Sequence, residues 1–405
     1  MISPFLFITT DNFFTSKFLT TLLKMKKLFY FGIFGIILYE IAKVYFIMPI
    51  PGSQRMNSID FAYFLHNWRW VFRISFWALI LIGASNAFRV KWKWVPLIFL
   101  AMAAGLVYVT NYEMAADTMF YQPENLKLQP VPANKVKDDR LIIGVSINGE
   151  AKAYPIQFIG YHHQVQDVVG GKSVIVTYCT VCRTGRVFEP LVNKKPTLFR
   201  LVGMDHFNAM FEDETTHSWW RQANGEAIAG PLKGGKLPEL ASTQTSLKQW
   251  LRLHPDSKIM QPDPKFKSEY AGMALYESGK GKSSLTRTDS LSWKDKSWVV
   301  GIEIKNQSKA FDWNRLINER AINEKIGNTP VVLILAADDK SFFAFQRANE
   351  SDRFGIKNDT LFVDNQYYNL LGESLTAKEA NLKPINAYQE FWHSWKTFHP
   401  ETERY

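Results

Sequence analysis

Along the first 110 residues the polar positions thin out into three apolar runs, 28–48, 71–88 and 94–110. Each comes close to the ~20 mostly apolar residues that a helix needs to cross a bilayer, so the pattern predicts three transmembrane helices. The first run carries Glu40 and Lys43, three apart on one helical face, placed to pair with each other or to lie near the outer boundary. The second carries Arg73, close enough to its end for the guanidinium to reach the interface. Trp68, Trp70, Trp92 and Trp94 stand where interfacial aromatic belts form.

Beyond residue 140 the apolar spacing shortens to that of strands. Val145 and Ile147 lead into Asn148-Gly149, and Ala151 and Ala153 follow, the pattern of a hairpin. A helix-like stretch from Pro155 to about Asp167, a Gly170-Gly171 turn, and apolar strands at 173–178 and 186–189 complete the block. Residues 143–189 align without a gap on 300–346, Gly144 onto Gly301, Tyr154 onto Phe311, Gly170 onto Gly327 and Phe188 onto Phe345. Farther on, Gly225-Glu226 matches Gly372-Glu373, and Trp250 with His254-Pro255 matches Trp395 with His399-Pro400. Two ordered blocks of agreement predict a duplicated domain.

The chain therefore divides into a tail at 1–24, a three-helix anchor at 25–111, a linker at 112–140, a first half at 141–262, a linker or long loop at 263–297, and a second half at 298–405. Met25-Lys26-Lys27 before an apolar run resembles a membrane-protein start, which makes 1–24 a candidate upstream misread. The fold class is α+β: a strand-rich domain of two duplicated halves preceded by three transmembrane α-helices.

Charge orients this arrangement. Lys24, Lys26 and Lys27 precede the first run and Arg89, Lys91 and Lys93 fill the loop between the second and third, whereas 49–69 holds only Arg55 and Arg69. The positive-inside rule predicts a multi-pass protein of the inner or plasma membrane, its N-terminus cytoplasmic and everything after 111 extracytoplasmic. The expected partner is the lipid bilayer. The net charge of +10 fits a solvated surface plus basic membrane flanks, and no basic run interleaved with aromatics outside the membrane region supports a nucleic-acid partner.

The 405 residues include only two cysteines, Cys179 and Cys182, in a loop between two strands. A disulfide scaffold needs several pairs, so the fold rests on its own core. No helix starts at the Cys-x-x-Cys, which argues against a thioredoxin fold. Four readings fit: a local disulfide, a copper or zinc site, a reactive thiol, or plain buried cysteines. The halves supply a control, since positions special to one half are candidates for function. Cys179 and Cys182 fall opposite Ala336 and Asp339, and His162 and His163 opposite Glu319 and Arg320. Cys179, Cys182 and His162 are the candidate ligands. A methionine thioether, from Met204 or Met210, suits Cu(I), and imidazole suits zinc. For thiol chemistry, Arg183 would favour the thiolate and His162 act as base. His163 and His206 are further candidates.

The segments GVSINGEAKAYPI, HHQVQDVVGGKSVIVTYCTVCRTGRVF, ANGEAIAGPL and FWHSWKTFHPETERY resemble the family called domain of unknown function 3179, over most of residues 120–405. The resemblance carries the family's histidine onto His162, its cysteines onto Cys179 and Cys182, and its methionine onto Met210. The chain departs from the family pattern at Thr180-Val181, Arg183, Tyr161 and His163. No activity comes with the resemblance. The sequence thus predicts a membrane-anchored protein with a metal-binding or thiol-redox site at the cysteine loop. The alternatives are a non-enzymatic binding or assembly module with a structural disulfide, or a thiol-dependent transferase or hydrolase.

Overall fold

The computed structural model describes residues 11–376 and 380–405, with side chains from residue 25 onward. It forms two compact units, one ending at Met119 and one running Phe120–Tyr405.

The first unit contains α1 (Asp11–Tyr45), α2 (Ile59–Asn67), α3 (Arg69–Ala87) and α4 (Trp94–Tyr108), the last running on into a π-helical turn at Val109–Glu113. Met25–Tyr45, Arg69–Ala87 and Trp94–Glu113 are long and apolar enough to cross a membrane. Phe29, Ile33 and Ile36 repeat at helical spacing and pack with Ile80, Ala87 and Ala103 along the seam. Gly83 brings α3 against α1, because a Cβ there would lie 2.5 Å from the Phe29 nitrogen. The short α2 has no counterpart in the sequence reading. Of the proposed tail, residues 1–10 lie outside the described residues, and 11–24 continue the α1 backbone.

The second unit is strand-rich. Its first part contains β1 (Leu128–Pro130), β2 (Leu141–Ile147), β3 (Glu150–Pro155), α5 (Ile156–His162), β4 (Gln164–Val169), β5 (Lys172–Cys179) and β6 (Thr184–Phe188). Next come β7 (Phe199–Asp205), β8 (Asn208–Asp213), β9 (Trp219–Arg221), β10 (Ala227–Ala229), β11 (Thr243–Ser246), α6 (Leu247–Leu253) and β12 (Lys258–Met260). The later part contains β13 (Trp298–Ile304), β14 (Gln307–Asp312), α7 (Trp313–Glu319), β15 (Ala321–Ile326), β16 (Thr329–Leu335) and β17 (Phe342–Gln346). It ends with β18 (Gly355–Lys357), β19 (Thr360–Val363), β20 (Gln366–Tyr368), β21 (Lys383–Ile385), β22 (Tyr388–Phe391), α8 (Trp392–Phe398) and β23 (Glu403–Arg404).

Sheet orders run in parallel through the two parts. One sheet is β1-β12-β3-β2-β11 and its counterpart is β23-β14-β13-β22; β4-β5-β6 answers to β15-β16-β17-β21. The Asn148-Gly149 hairpin turn takes positive φ at both residues, 49° and 83°, as a tight primed turn requires. Gly144 and Gly301 have a common steric reason. A Cβ at Gly144 would lie 2.3 Å from the Trp250 ring, and one at Gly301 2.2 Å from the Trp395 ring, so each tryptophan packs flat on its strand. His399 stacks on Trp395 at 3.7 Å, and His254 lies tilted against Trp250 at 4.1 Å. The parts meet where β6 packs beside β22 and β11 beside β17.

Both segments read as linkers are structured. Residues 112–140 include β1, which pairs antiparallel with β12. Residues 263–297 include the short helices Lys267–Ala271 and Met273–Glu277, with Phe266, Tyr270 and Tyr276 buried in the first core.

Candidate functional site

Cys179 closes β5, opposite Thr184 of β6, and Cys182 sits in the intervening turn, whose last residue Arg183 takes a positive φ of 57°. The strand–turn–strand placement agrees with the sequence reading. Both cysteines are fully buried free thiols. They lie under the β7–β8 turn, whose Phe207 carbonyl oxygen is 3.3 Å from Cys182 Sγ and 3.6 Å from Cys179 Sγ. Asn208 Nδ2 donates to Cys182 Sγ at 3.4 Å. That amide is itself fixed, donating to Gln222 Oε1 and accepting from the Ala223 N–H.

The later part closes the other side. The Phe391 N–H donates to the Cys182 carbonyl at 2.8 Å, tying β22 to the cysteine turn. Lys296 Nζ donates to the Val181 carbonyl at 2.8 Å and lies 3.0 Å from His393 Nε2, which is 3.1 Å from the same carbonyl. The His393 ring meets Phe207 edge-on at 6.1 Å.

These neighbours make the two thiols unequal. Burial pushes Cys179 up, but hydrogen bonds from the Cys182 thiol and from the Ala209 and Cys182 N–H groups, with the Lys296 charge, outweigh it and hold its pKa below the ordinary thiol value. Burial and the adjacent Cys179 hold Cys182 well above that value. Burial lowers Lys296 despite the facing sulfurs.

The sequence candidates separate. His162 is buried elsewhere, Nδ1 at the Tyr121 carbonyl and Nε2 2.6 Å from the Tyr270 hydroxyl, so neither ring nitrogen is directed to a sulfur. His163 bonds the Tyr178 carbonyl at 2.9 Å and packs against Phe120. His206 bonds Asp205 at 2.6 Å. Met210 is buried on β8, opposite Gly203 and Arg221. Arg183 is not the cation that favours the thiolate: its guanidinium donates to the Tyr276 and Glu277 carbonyls and Gln389, and stacks 3.6 Å over Trp298. The cation whose charge acts on Cys179 is Lys296. Among the described residues no group of three or more His, Cys, Asp or Glu side chains gathers to hold a metal.

Sequence reasoning missed Lys296, Asn208, His393 and Ser394, the last of which also hydrogen-bonds Cys182. His393 was within its reach. With Trp250 on Trp395, His393 falls opposite Lys248, a difference between the halves as telling as the cysteines themselves.

The family model described as protein of unknown function (DUF3179) matches residues 123–402. The chain belongs to that family. Comparison with curated proteins and with solved structures gives no match.

Two buried imidazoles are expected to make the domain acid-sensitive. Burial lowers His163 and His393 to about 4, from an ordinary value of 6.5. A depressed folded pKa means that their contribution is complete above about pH 6.5 and is lost as pH falls from there toward 4, where only the unfolded chain takes up protons. The thermal midpoint, followed by circular dichroism, is expected to fall steadily across that window. In the His163→Gln variant the slope should be shallower; an unchanged slope would contradict this account.

Proposed function

We propose that the strand-rich domain is a membrane-anchored, extracytoplasmic thiol–disulfide exchange module with Cys179 as nucleophile and Cys182 as resolving thiol. The observation that carries this reading is the setting of the pair: two buried free thiols face the same Phe207 carbonyl, with Lys296 held at the cysteine turn, and these surroundings favour Cys179 as the thiolate beside a protonated Cys182. The Cys179 thiolate attacks a disulfide of a protein substrate, and the departing sulfur takes a proton. Cys182, once deprotonated, attacks the mixed disulfide, so that the Cys179–Cys182 bridge forms and the substrate leaves as a dithiol. Because both sulfurs are covered, the β7–β8 turn carrying Phe207 must lift for a substrate to enter. The extracytoplasmic placement rests on the lysine and arginine bias of the loops. We also read the domain as a duplication in which only the first half keeps sulfur, the second half lending His393 and, from the segment before it, Lys296.

Copper is the second reading, supported by the same paired sulfurs: two facing thiolates are a soft donor set suited to Cu(I). Zinc would need further ligands beyond them.

The test is iodoacetamide trapping of the purified full chain in detergent, resolved by peptide mass. Cys179 should alkylate over a pH range in which Cys182 stays unmodified. Lys296→Met should move the Cys179 profile to higher pH and leave the folded spectrum unchanged. If both thiols react only after unfolding, they are structural and the exchange reading fails. If Cu(I) at one equivalent protects both from alkylation while no disulfide substrate is reduced, the copper reading replaces it.

A further inference from the structure

The three-helix unit contains a second polar assembly, in which cations outnumber the one carboxylate that holds them. Glu40, fully buried, accepts from Arg73 Nε at 2.6 Å, Lys43 at 3.1 Å, Thr110 Oγ1 at 3.0 Å and Asn111 Nδ2 at 3.1 Å. Asn111 Oδ1 in turn accepts from Arg73 Nη2 at 2.6 Å and from Lys43. Two cations thus share one carboxylate. Arg69 adds positive charge nearby at the head of α3, and Glu113 is turned to the Tyr108 hydroxyl. An excess positive charge among apolar helices is costly unless an anion answers it.

The assembly sits where the C-terminal end of α1, the start of α3 and the π-helical turn after α4 come together. That is the level of a membrane interface, and Trp70 and Tyr112 are exposed there. A cavity of about 650 Å³ opens between α3 and α4 at this point. Arg73 and Asn111 line its polar end, and Ile74, Leu81 and Val107 line an apolar channel leading away. Leu81 is two turns beyond Arg73, about 12 Å along the helix. A charged end and an apolar channel of that length have the shape of an amphiphile.

We propose that this groove binds an anionic phospholipid, with the phosphate on Arg73 beside Asn111 and one acyl chain along Ile74, Leu81 and Val107. Arginine suits phosphate because its planar fork can donate two parallel hydrogen bonds. The bilayer around three apolar helices supplies this occupant at high local concentration.

The full chain, delipidated and placed in nanodiscs of phosphatidylcholine alone or with phosphatidylglycerol, tests the site. Native mass spectrometry should find one phosphatidylglycerol retained per chain, and the thermal midpoint should rise by several degrees in the anionic discs. Arg73→Gln should lose both effects. Since Arg73 also holds Glu40, Ala78→Trp serves as a second variant: it fills the groove from an exposed position, leaves the ion cluster intact, and should lose retention equally. Equal phosphatidylglycerol preference in wild type and Ala78→Trp would overturn the proposal. So would millimolar inorganic phosphate reproducing the full shift in phosphatidylcholine discs, which would mark a free-anion site instead.

Discussion

Cys179→Ser is expected to abolish disulfide exchange by the full chain, whereas Cys182→Ser is expected to stop it one step later, as a trapped mixed disulfide. The asymmetry follows from the electrostatics around each sulfur. Cys179 receives N–H donors from Ala209 and Cys182 and the field of Lys296, and these stabilise the thiolate that attacks. Cys182 is raised first by burial and then by the neighbouring Cys179 sulfur, so it stays protonated beside the attacking thiolate, and the second of these effects goes once Cys179 has been consumed. With a fluorescent disulfide-bridged peptide as substrate, Cys179→Ser should lower the exchange rate at least about 100-fold, a loss of ~2.7 kcal/mol of transition-state stabilisation. Cys182→Ser should accumulate a covalent peptide adduct, seen by intact mass and released by reductant. An adduct on Cys182 in the Cys179→Ser protein, formed at the wild-type rate, would reverse the assignment.

Much of the scaffold around these sulfurs is local in origin and therefore legible. The apolar runs, the Asn148-Gly149 hairpin and the strand–turn–strand at the cysteines are each dictated by residues within about ten positions. The segment 263–297 was not legible because its helices, Lys267–Ala271 and Met273–Glu277, are five residues each. Single aromatics, Phe266, Tyr270 and Tyr276, fasten them, and so short a helix cannot display an apolar stripe. Lys296 lies in this stretch and escaped notice with it.

His162 illustrates the opposite limit. Its closeness in sequence to the cysteine strand suggested a ligand or base. The helix instead turns its ring toward Tyr121 and Tyr270, groups supplied by the two segments taken for linkers. His393 reaches the cysteine turn only because β22 packs beside β6, a contact across more than 200 residues that no local pattern encodes. The unmatched pair His393 and Lys248, seen when Trp395 is set on Trp250, was the one sequence signal for it, and the reading of the halves stopped at the cysteines and the histidines beside them.

That same contact carries the second large effect. Arg186 Nη2 donates to Glu390 Oε1 at 2.7 Å, with the two side chains 5% and 1% exposed, and Glu390 also accepts from Thr184 at 2.9 Å and Ser394 at 2.8 Å. The guanidinium lies 3.2 Å over the Tyr388 ring, whose hydroxyl donates to Glu239 at 2.6 Å. One cation therefore joins β6 to β22 and keeps the cysteine turn against His393. Removing it leaves a buried carboxylate without its counter-charge, a change that costs about 3–5 kcal/mol. Arg186→Ala is expected to lower the stability of the strand-rich domain by that amount in urea unfolding followed by tryptophan fluorescence. Replacing the pair together, as Arg186→Met with Glu390→Leu, should recover much of the loss, since neither charge is then stranded in the interior. The recovered variant should still alkylate Cys179 faster than wild type, because the apolar pair cannot hold Thr184 and Ser394 in place beside the cysteines. A double variant as unstable as Arg186→Ala would show that packing over Tyr388, rather than the buried charge, holds the two halves together.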